Sequence, residues 1–349
     1  MKSTKENITG LVLDRNKERL LTIDLPVIER TRIYESDIGK TTLTDKYGEM
    51  IFFGDWHIGS EAFAENPFEA HIKHIEANPH MRVIGMGDYI NYNITTKHIN
   101  DETLTTDQQI NRMVDALIRI GDQIVIMLPG NHAAGRMAAA TKSNRWLKFV
   151  CLEAGLDVGK IFIPEPDRGC SALVNVGEYQ YSLYAIHGSS GSVVNSNNQL
   201  RKMAQTRRES LLAMGHIHRI LFEPRVYEEL ELIDDEVYRT LKKQFWLASG
   251  SYLKDSAYAE IKSYPMSIVG SPIVRFFATT NEMDMHTLPY RSRDFTDYVL
   301  ENTIPNDSTF SGKKYVEEER PPCPACESDD IMSRGKQWFC KKCGRYFKK

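Results

Sequence analysis

From residue 49 onward, short apolar runs alternate with amphipathic stretches. The runs are "MIFF" (50–53), "RVIGM" (82–86), "IVIML" (124–128), "SLYAI" (182–186) and "LLAM" (211–214). Between the second and third, "TDQQINRMVDALIRIGDQ" places Ile110, Met113, Val114, Leu117 and Ile118 at the i, i+3, i+4, i+7, i+8 spacing of one helical face. Asp107 is an acid near its start, and Gly121 is a stop. "NPFEAHIKHIEANP" and "SNRWLKFVCLEAG" also predict amphipathic helices. Such alternation predicts a layered α/β (α+β) domain. Residues 1–48 are turn-rich and predict an edge strand or two. After residue 220, "LIDDEVYRTLKKQFWLASGSY" and "SPIVRFFATT" predict longer, twisted strands with irregular loops. The polar, proline-bearing stretch "ENTIPNDSTFSGKKYVEEERPP" reads as a linker. The division predicted is a domain over 1–300, a linker over 301–320 and a small module over 321–349.

Composition fits a water-soluble protein: 349 residues, 41% hydrophobic, 26% charged, net charge −3. No apolar run is long enough to cross a bilayer, and "MKSTKENITG" lacks the apolar core of a signal peptide. A cytoplasmic location and no membrane partner are expected. The six cysteines are too few to staple a chain of this size. Charge is uneven, since the end "GKQWFCKKCGRYFKK" is basic and most of the chain before it is acidic.

The chemistry lies just past the end of each run. Gly54-Asp55-Trp56-His57 comes after the first and Gly87-Asp88-Tyr89 after the second. Gly130-Asn131-His132 comes after the third, His187-Gly188 after the fourth and Gly215-His216-Ile217-His218 after the fifth. If the first run continues as a strand, Asp55 and His57 point to one face. Ligands of open α/β sheets bind beyond the carboxyl ends of strands, so these ends predict one crevice. Asp55, His57, Asp88, Asn131, His187, His216 and His218 offer imidazole and oxygen donors without a thiolate. That set suits Mn²⁺, Fe²⁺ or Zn²⁺, with Mg²⁺ as a further option, over Ca²⁺ or copper. It is too large for one tetrahedral ion, so two ions sharing the Asp88 carboxylate fit better. Taken singly, each motif has a plain reading: Asp55 as a helix cap, His187 as a core histidine. His71, His74, His80, His98 and His286 receive that plain reading, with His71 and His74 on a solvated helix face.

The ordered series D-x-H, G-D, G-N-H, H-G, G-H-x-H, over about residues 49–220, resembles the calcineurin-like metallophosphoesterase superfamily. The resemblance implies a four-layer αββα sandwich of two mixed sheets flanked by helices. It implies that Asp55, His57 and His218 hold one ion, that Asn131, His187 and His216 hold the other, and that Asp88 bridges. His132 becomes the catalytic histidine, protonating the leaving group or stabilising the transition state, and water activated between the ions becomes the nucleophile. The Ser/Thr phosphatase branch reads GDYVDRG and GNHE, whereas this chain has "GDYINYN" and "GNHAAG". Asn91 stands where that branch carries the aspartate that orients its histidine. Ala133 replaces a glutamate, and Tyr92 replaces the phosphate-gripping arginine. What orients His132 is therefore open, and Asn91 is placed with the substrate-facing residues. "GDWHIG", "GNH" and "MGHIH" look more like the Mre11/SbcD-like nuclease branch, although its frequent GNHD is absent.

The tail adds a separate signal. Cys323-x-x-Cys326 and Cys340-x-x-Cys343 have the spacing of a four-thiolate structural Zn²⁺ site, resembling a zinc ribbon. Arg334, Lys336, Lys341, Lys342, Arg345, Lys348 and Lys349 surround it, interleaved with Trp338, Tyr346 and Phe347. Cations neutralise phosphates and aromatic faces stack on bases, so nucleic acid is the expected partner, a protein the alternative. "HGSSGSVVNSNN" either offers main-chain N–H groups to phosphate or forms a flexible loop, and Arg207 or Arg208 either meets a substrate backbone or lies on a surface helix face. Cys151 and Cys170 read as buried thiols. The expectation is a two-metal phosphodiesterase, most simply a DNA or RNA nuclease tethered by its ribbon. The alternatives are hydrolysis of nucleotides or other small phosphoesters, and a non-catalytic scaffold. Nuclease relatives in the superfamily are often dimeric, which adds a homodimer to the expected partners.

Overall fold

A computed structural model describes residues 21–36, 39–92, 102–132, 136, 145–165, 168–188, 196–233, 236–254, 268–288, 331–334, 337–340 and 346–348. The chain divides into two compact units, Met1–Thr303 and Ile304–Lys349.

The first unit is a mixed α/β fold with two mixed sheets. One sheet holds, in spatial order, β1 (Leu21–Asp24), β6 (Cys170–Val176), β7 (Tyr179–Ile186), β8 (Leu211–Met214), β10 (Glu236–Ser249) and β9 (Ile220–Ile233). The other holds β12 (Met283–Thr287), β11 (Pro272–Phe277), β3 (Gly39–Phe53), β4 (Arg82–Gly85) and β5 (Ile124–Met127), with β2 (Ile28–Ser36) hairpinned onto β3. β3, β4 and β5 run parallel, as do β7, β8 and β10. The predicted runs are these parallel strands. The late "twisted strands" include a long antiparallel hairpin, β9 with β10, whose partner strand starts at Ile220.

Strand periodicity explains the layering. In β3, Met50 and Phe52 point into the core between the sheets, and Ile51 and Phe53 into a second core under helices. In β8, Leu211 and Ala213 face the intersheet core while Leu212 and Met214 face outward. Both faces are buried, so these strands read as unbroken apolar runs rather than alternating ones. Helices α1 (Glu65–Ala77), α2 (Thr106–Ile120) and α3 (Arg145–Glu153) cover the β3 side. Helix α4 (Ser196–Thr206) covers the β8 side through Leu200 and Met203. The order is helix, sheet, sheet, helix. α2 opens on a capping box, Thr105 with Gln108, and past Ile120 the chain tightens into a 3₁₀ turn, Gly121–Gln123. Gln123 Nε2 then donates to the carbonyls of Ile75 and Asn78 at the end of α1, 3.0 and 2.9 Å away.

The solvated-face reading of His71 and His74 is corrected by the packing of α1. His71 is 2% exposed on the packed face of that helix, stacked on Phe53 and edge-on to Tyr252. Its Nδ1 is 2.9 Å from the Pro67 carbonyl one turn back, and its Nε2 is buried without a hydrogen-bond partner. Without a partner carboxylate on that face, burial pulls its pKa down to about 4. His74 is also shifted down, by burial first.

In the second unit the described residues form a three-stranded antiparallel sheet, β13 (Ile331–Arg334), β14 (Gln337–Cys340) and β15 (Tyr346–Lys348). Cys340 closes β14 opposite Ile331. Cys323, Cys326, Cys343, Lys341, Lys342, Arg345 and the linker lie outside the described residues. So does "SSGSVVN" after Gly188.

Candidate metal centre

Five of the seven predicted donors sit in left-handed backbone. Asp55, His57, Asp88, His216 and His218 have φ of 50°, 51°, 48°, 60° and 57°. Left-handed backbone costs a residue with a Cβ roughly 1 kcal/mol or more, and such residues gather at functional sites when their surroundings hold them. Main-chain bonds hold these: Asp55 N donates to the Gly87 carbonyl (2.8 Å) and His57 N to the Asp88 carbonyl (2.9 Å). The strand-face expectation for Asp55 and His57 is therefore corrected. β3 ends at Phe53, and a turn, not the pleat, brings the two side chains to one side.

Main-chain glycines let the loops close on one another. A Cβ on Gly130 would lie 2.1 Å from both the amide N and Oδ1 of Asp88. At Gly87, where φ is +100°, it would lie 2.5 Å from His187 Nδ1. No side chain fits either place.

Three groups of donors result. Asp55, His57 and His218 place one ligand atom each within 4.8 Å of the others, and so do His57, Asp88 and His132, and Asp88, His187 and His216. Asp88 sits in two groups. Its Oδ1 accepts from the His132 amide at 2.8 Å. Its Oδ2 is buried with no hydrogen-bond partner, 3.2 Å from His187 Nε2, 3.9 Å from His132 Nε2 and 4.0 Å from His57 Nε2. In the first group, Nε2 of His57 and His218 are 3.1 Å apart, and His218 Nε2 is 3.2 Å from Asp55 Oδ1. In the other, His187 Nε2 is 2.9 Å from Asn131 Oδ1.

The tautomers are set by the partners. A carbonyl can only accept, so His187 Nδ1, 2.7 Å from the Met86 carbonyl, carries its proton. In a neutral ring Nε2 then presents a lone pair to Asn131 Oδ1 and Asp88 Oδ2. Lone pairs facing one another at these distances call for a cation. The electrostatics say the same: burial opposes charging His187, yet Asp88 and Asp55 overcome it and raise its pKa to about 9. Asp88 is held well below the usual carboxylate range, because the imidazoles of His187, His132 and His57 outweigh its burial. His57 and His216 are shifted down, by burial first. His216 Nδ1 is also a buried nitrogen without a partner. Orphaned donors of this kind cost several kcal/mol unless a charge of opposite sign meets them. Imidazole and carboxylate donors around an unpaired carboxylate oxygen fit divalent ions of the Mn, Fe or Zn type.

Other predicted residues fall elsewhere. Asn91 is buried, and its side chain meets His57 Nδ1 through Oδ1 (3.3 Å) and Glu102 through Nδ2 (3.5 Å). Its placement with the substrate-facing residues gives way to a buried side chain that holds His57 and Glu102. Its main-chain carbonyl lies 2.6 Å from His132 Nδ1 and fixes the tautomer that leaves His132 Nε2 towards Asp88. Arg207 lies over the Tyr184 ring at 3.8 Å and Arg208 over the Tyr227 ring at 5.4 Å. Both precede β8, at the end opposite His216 and His218. The expected substrate contact is corrected for both: tyrosine faces and the Glu209 carboxylate hold them.

Three residues of the site escaped the sequence pattern. Ser249 Oγ donates to Asp55 Oδ2 at 3.2 Å. It ends the run "FWLAS" just before a glycine, so the same run-then-glycine signal was there, with an inconspicuous residue type. Arg136, one helical turn past His132, donates to the carbonyls of Asn91 and Tyr92. Arg168 lines a cavity of about 250 Å³ together with Pro129, Asn131, Ile186 and His187.

The chain matches the calcineurin-like phosphoesterase family over residues 50–238. It belongs to that family. The family's chemistry is metal-dependent hydrolysis of phosphoesters, and the aspartate and histidine groups are the candidate seats of its divalent metals. Among curated proteins, none matches the chain. Similar solved structures include a metallophosphoesterase from Sphaerobacter thermophilus, 12% identical, covering 74% of this chain and 95% of its own, TM-score 0.33. Vps29 complexed with zinc, from Entamoeba histolytica, is 10% identical, covering 68% of this chain and 97% of its own, TM-score 0.30. A conserved protein of Streptococcus pneumoniae TIGR4 is 12% identical, covering 68% and 88%, TM-score 0.28. Likenesses of this size add nothing to the family match. Among the described residues, no helix is long and apolar enough to cross a membrane.

Proposed function

We propose that this family member is a two-metal phosphodiesterase acting on nucleic acid. The observation that carries the two-metal part is Asp88 Oδ2: buried, unpaired, and shared between donor groups on either side. Asp55, His57 and His218 would hold one ion, Asn131, His187 and His216 the other, and Asp88 both. When bound, such ions polarise phosphoryl oxygens and lower the pKa of coordinated water. The chain's own residues do the rest. Ser249 and the His216 amide fix the Asp55 carboxylate. Asn91 orients His57 with its side chain and His132 with its carbonyl. His132 Nε2 is the atom that passes a proton to the leaving oxygen. Burial lowers the His132 pKa, so once protonated it is a stronger acid than a free imidazole.

Nucleic acid is favoured by two features of the sequence. The residues that mark protein phosphatases are replaced at Asn91, Tyr92 and Ala133, and the similarity leans to the Mre11/SbcD-like branch. The C-terminal Cys323, Cys326, Cys340 and Cys343 would hold a structural zinc, presenting Lys341, Lys342 and Arg345 to a phosphate backbone. The second reading, a small phosphoester, is favoured by the 250 Å³ cavity beside His187, which is below the usual size of a drug-like ligand site.

The test is a Mn²⁺-dependent screen over single-stranded and duplex DNA, RNA, nucleotides and bis(p-nitrophenyl) phosphate. Cleavage of DNA or RNA is expected. Intact polymers beside turnover of the small diester would overturn the nuclease reading alone. No turnover of any substrate by metal-loaded protein would overturn the enzyme reading.

A further inference from the structure

The cavity beside His187 has a cationic side chain in its wall, Arg168, facing the same space as Pro129, Gly130, Asn131, Ile186 and His187. Arg168 is placed by packing that leaves little freedom to its backbone. Next to it, a Cβ on Gly169 would lie 2.4 Å from Tyr184 Oη and 2.9 Å from the Ala185 carbonyl, so the chain lies flush on β7 there. Cys170 then pairs with Ala185, one residue before Ile186 and His187. On the other side the Arg168 amide donates to the Glu165 carbonyl at 3.1 Å. The side chain itself is exposed, and no carboxylate among the described residues pairs with it.

A guanidinium beside a would-be metal site cannot be a ligand, since it has no lone pair to give. Among the described residues it neutralises no protein acid. It is suited to an oxyanion brought from outside, which its planar fork holds through two parallel hydrogen bonds. Asn131 and His187 line the cavity and Asp88 does not, so an anion held there by Arg168 is offset from the bridging carboxylate.

We propose that Arg168 is a specificity-determining residue that clamps the phosphate adjacent to the scissile one, selecting diesters that carry a second phosphate. This rests on the phosphodiesterase reading and names the substrate class of the same site. The probes are a 5′-phosphorylated dinucleotide, with two phosphates, and bis(p-nitrophenyl) phosphate, with one. In Arg168→Ala, kcat/KM for the first relative to the second should fall about tenfold to a hundredfold, mainly through KM. The calorimetric Kd of the metal-loaded protein for a 5′-phosphorylated phosphorothioate dinucleotide should weaken by a similar factor. Arg168→Lys, which keeps the charge and loses the fork, should recover part of that affinity. Metal content and melting temperature serve as folding controls. An unchanged ratio with an unchanged Kd overturns the clamp. Equal losses on both substrates also overturn it, placing Arg168 at the scissile phosphate instead. If wild-type protein turns over neither substrate, the phosphodiesterase reading fails, and the Kd comparison still decides the clamp.

Discussion

Replacing Gly130 with alanine tests the architecture at its tightest point. The new Cβ would sit 2.1 Å from the amide N and Oδ1 of Asp88 and 2.8 Å from its Cα. Two of those three atoms are main chain, so no flexible side chain can move aside. One loop must retreat. Overpacking of this sort costs about 1–3 kcal/mol. The retreat also stretches the bond from the His132 amide to Asp88 Oδ1, now 2.8 Å. A hydrogen bond to a charged group contributes about 1.5–3 kcal/mol. Together about 2.5–6 kcal/mol is expected, a large part of the roughly 5–15 kcal/mol that keeps a domain folded. Urea unfolding of the metal-free variant should show a lower midpoint at similar m-value. Metal analysis should show loss of metal from the groups Asp88 joins. Gly159→Ala is the control, because the nearest atom to its Cβ is an exposed Asp157 oxygen at 3.1 Å; it should shift stability by less than about 0.5 kcal/mol. A Gly130→Ala protein within about 1 kcal/mol of wild type, with full metal content, would refute the close packing of the two loops.

Further outcomes are expected elsewhere. His132→Ala should lower turnover about 10²- to 10⁴-fold while metal content stays at the wild-type value, since its Nε2 is assigned a proton rather than a metal; parallel loss of metal would make it a ligand. Asn91→Ala removes the side chain that orients His57 and keeps the carbonyl that orients His132, so metal affinity should weaken about 10- to 100-fold with the pH profile of turnover retained; a change in the profile at unchanged affinity would reverse the two roles. His71 binds its proton only near pH 4 when folded, against about 6.5 unfolded. On acidification the unfolded state therefore protonates first, and stability present above pH 6.5 is lost as pH falls towards 4, by up to about 3 kcal/mol. His71→Phe should flatten that part of the stability–pH curve, and an unchanged slope would show that other groups set it. Serine at Cys323, Cys326, Cys340 and Cys343 should remove one zinc per chain and weaken polymer cleavage more than turnover of a small diester; unchanged zinc content would dismiss the ribbon.

Much of this centre was legible along the chain because its parts are local. Each donor comes directly after a short apolar run, and a strand buried on both faces is written as such a run. Gly-Asp, Gly-Asn-His and Gly-His-x-His stay readable wherever they fold, since the glycine, the sharp turn and the ligand are neighbours. His71 was misjudged because residue type suggested water, while its one-turn bond to Pro67 and its ring contacts with Phe53 and Tyr252 made burial tolerable. Ser249 was missed because a serine at a strand end is common, and only its 3.2 Å approach to Asp55, across 194 residues of chain, gives it a role.

The sequence alone determined the family, the short buried apolar runs and the set of candidate ligands, for these depend on residue type and short-range order. The tertiary structure decided how the donors meet. It set three turns with five left-handed residues against one another, turned Asn91 from a substrate contact into a support for two histidines, and carried Arg207 and Arg208 to the far end of β8. Those outcomes depend on contacts between residues dozens to hundreds of positions apart, where packing geometry rather than local preference chooses the partner.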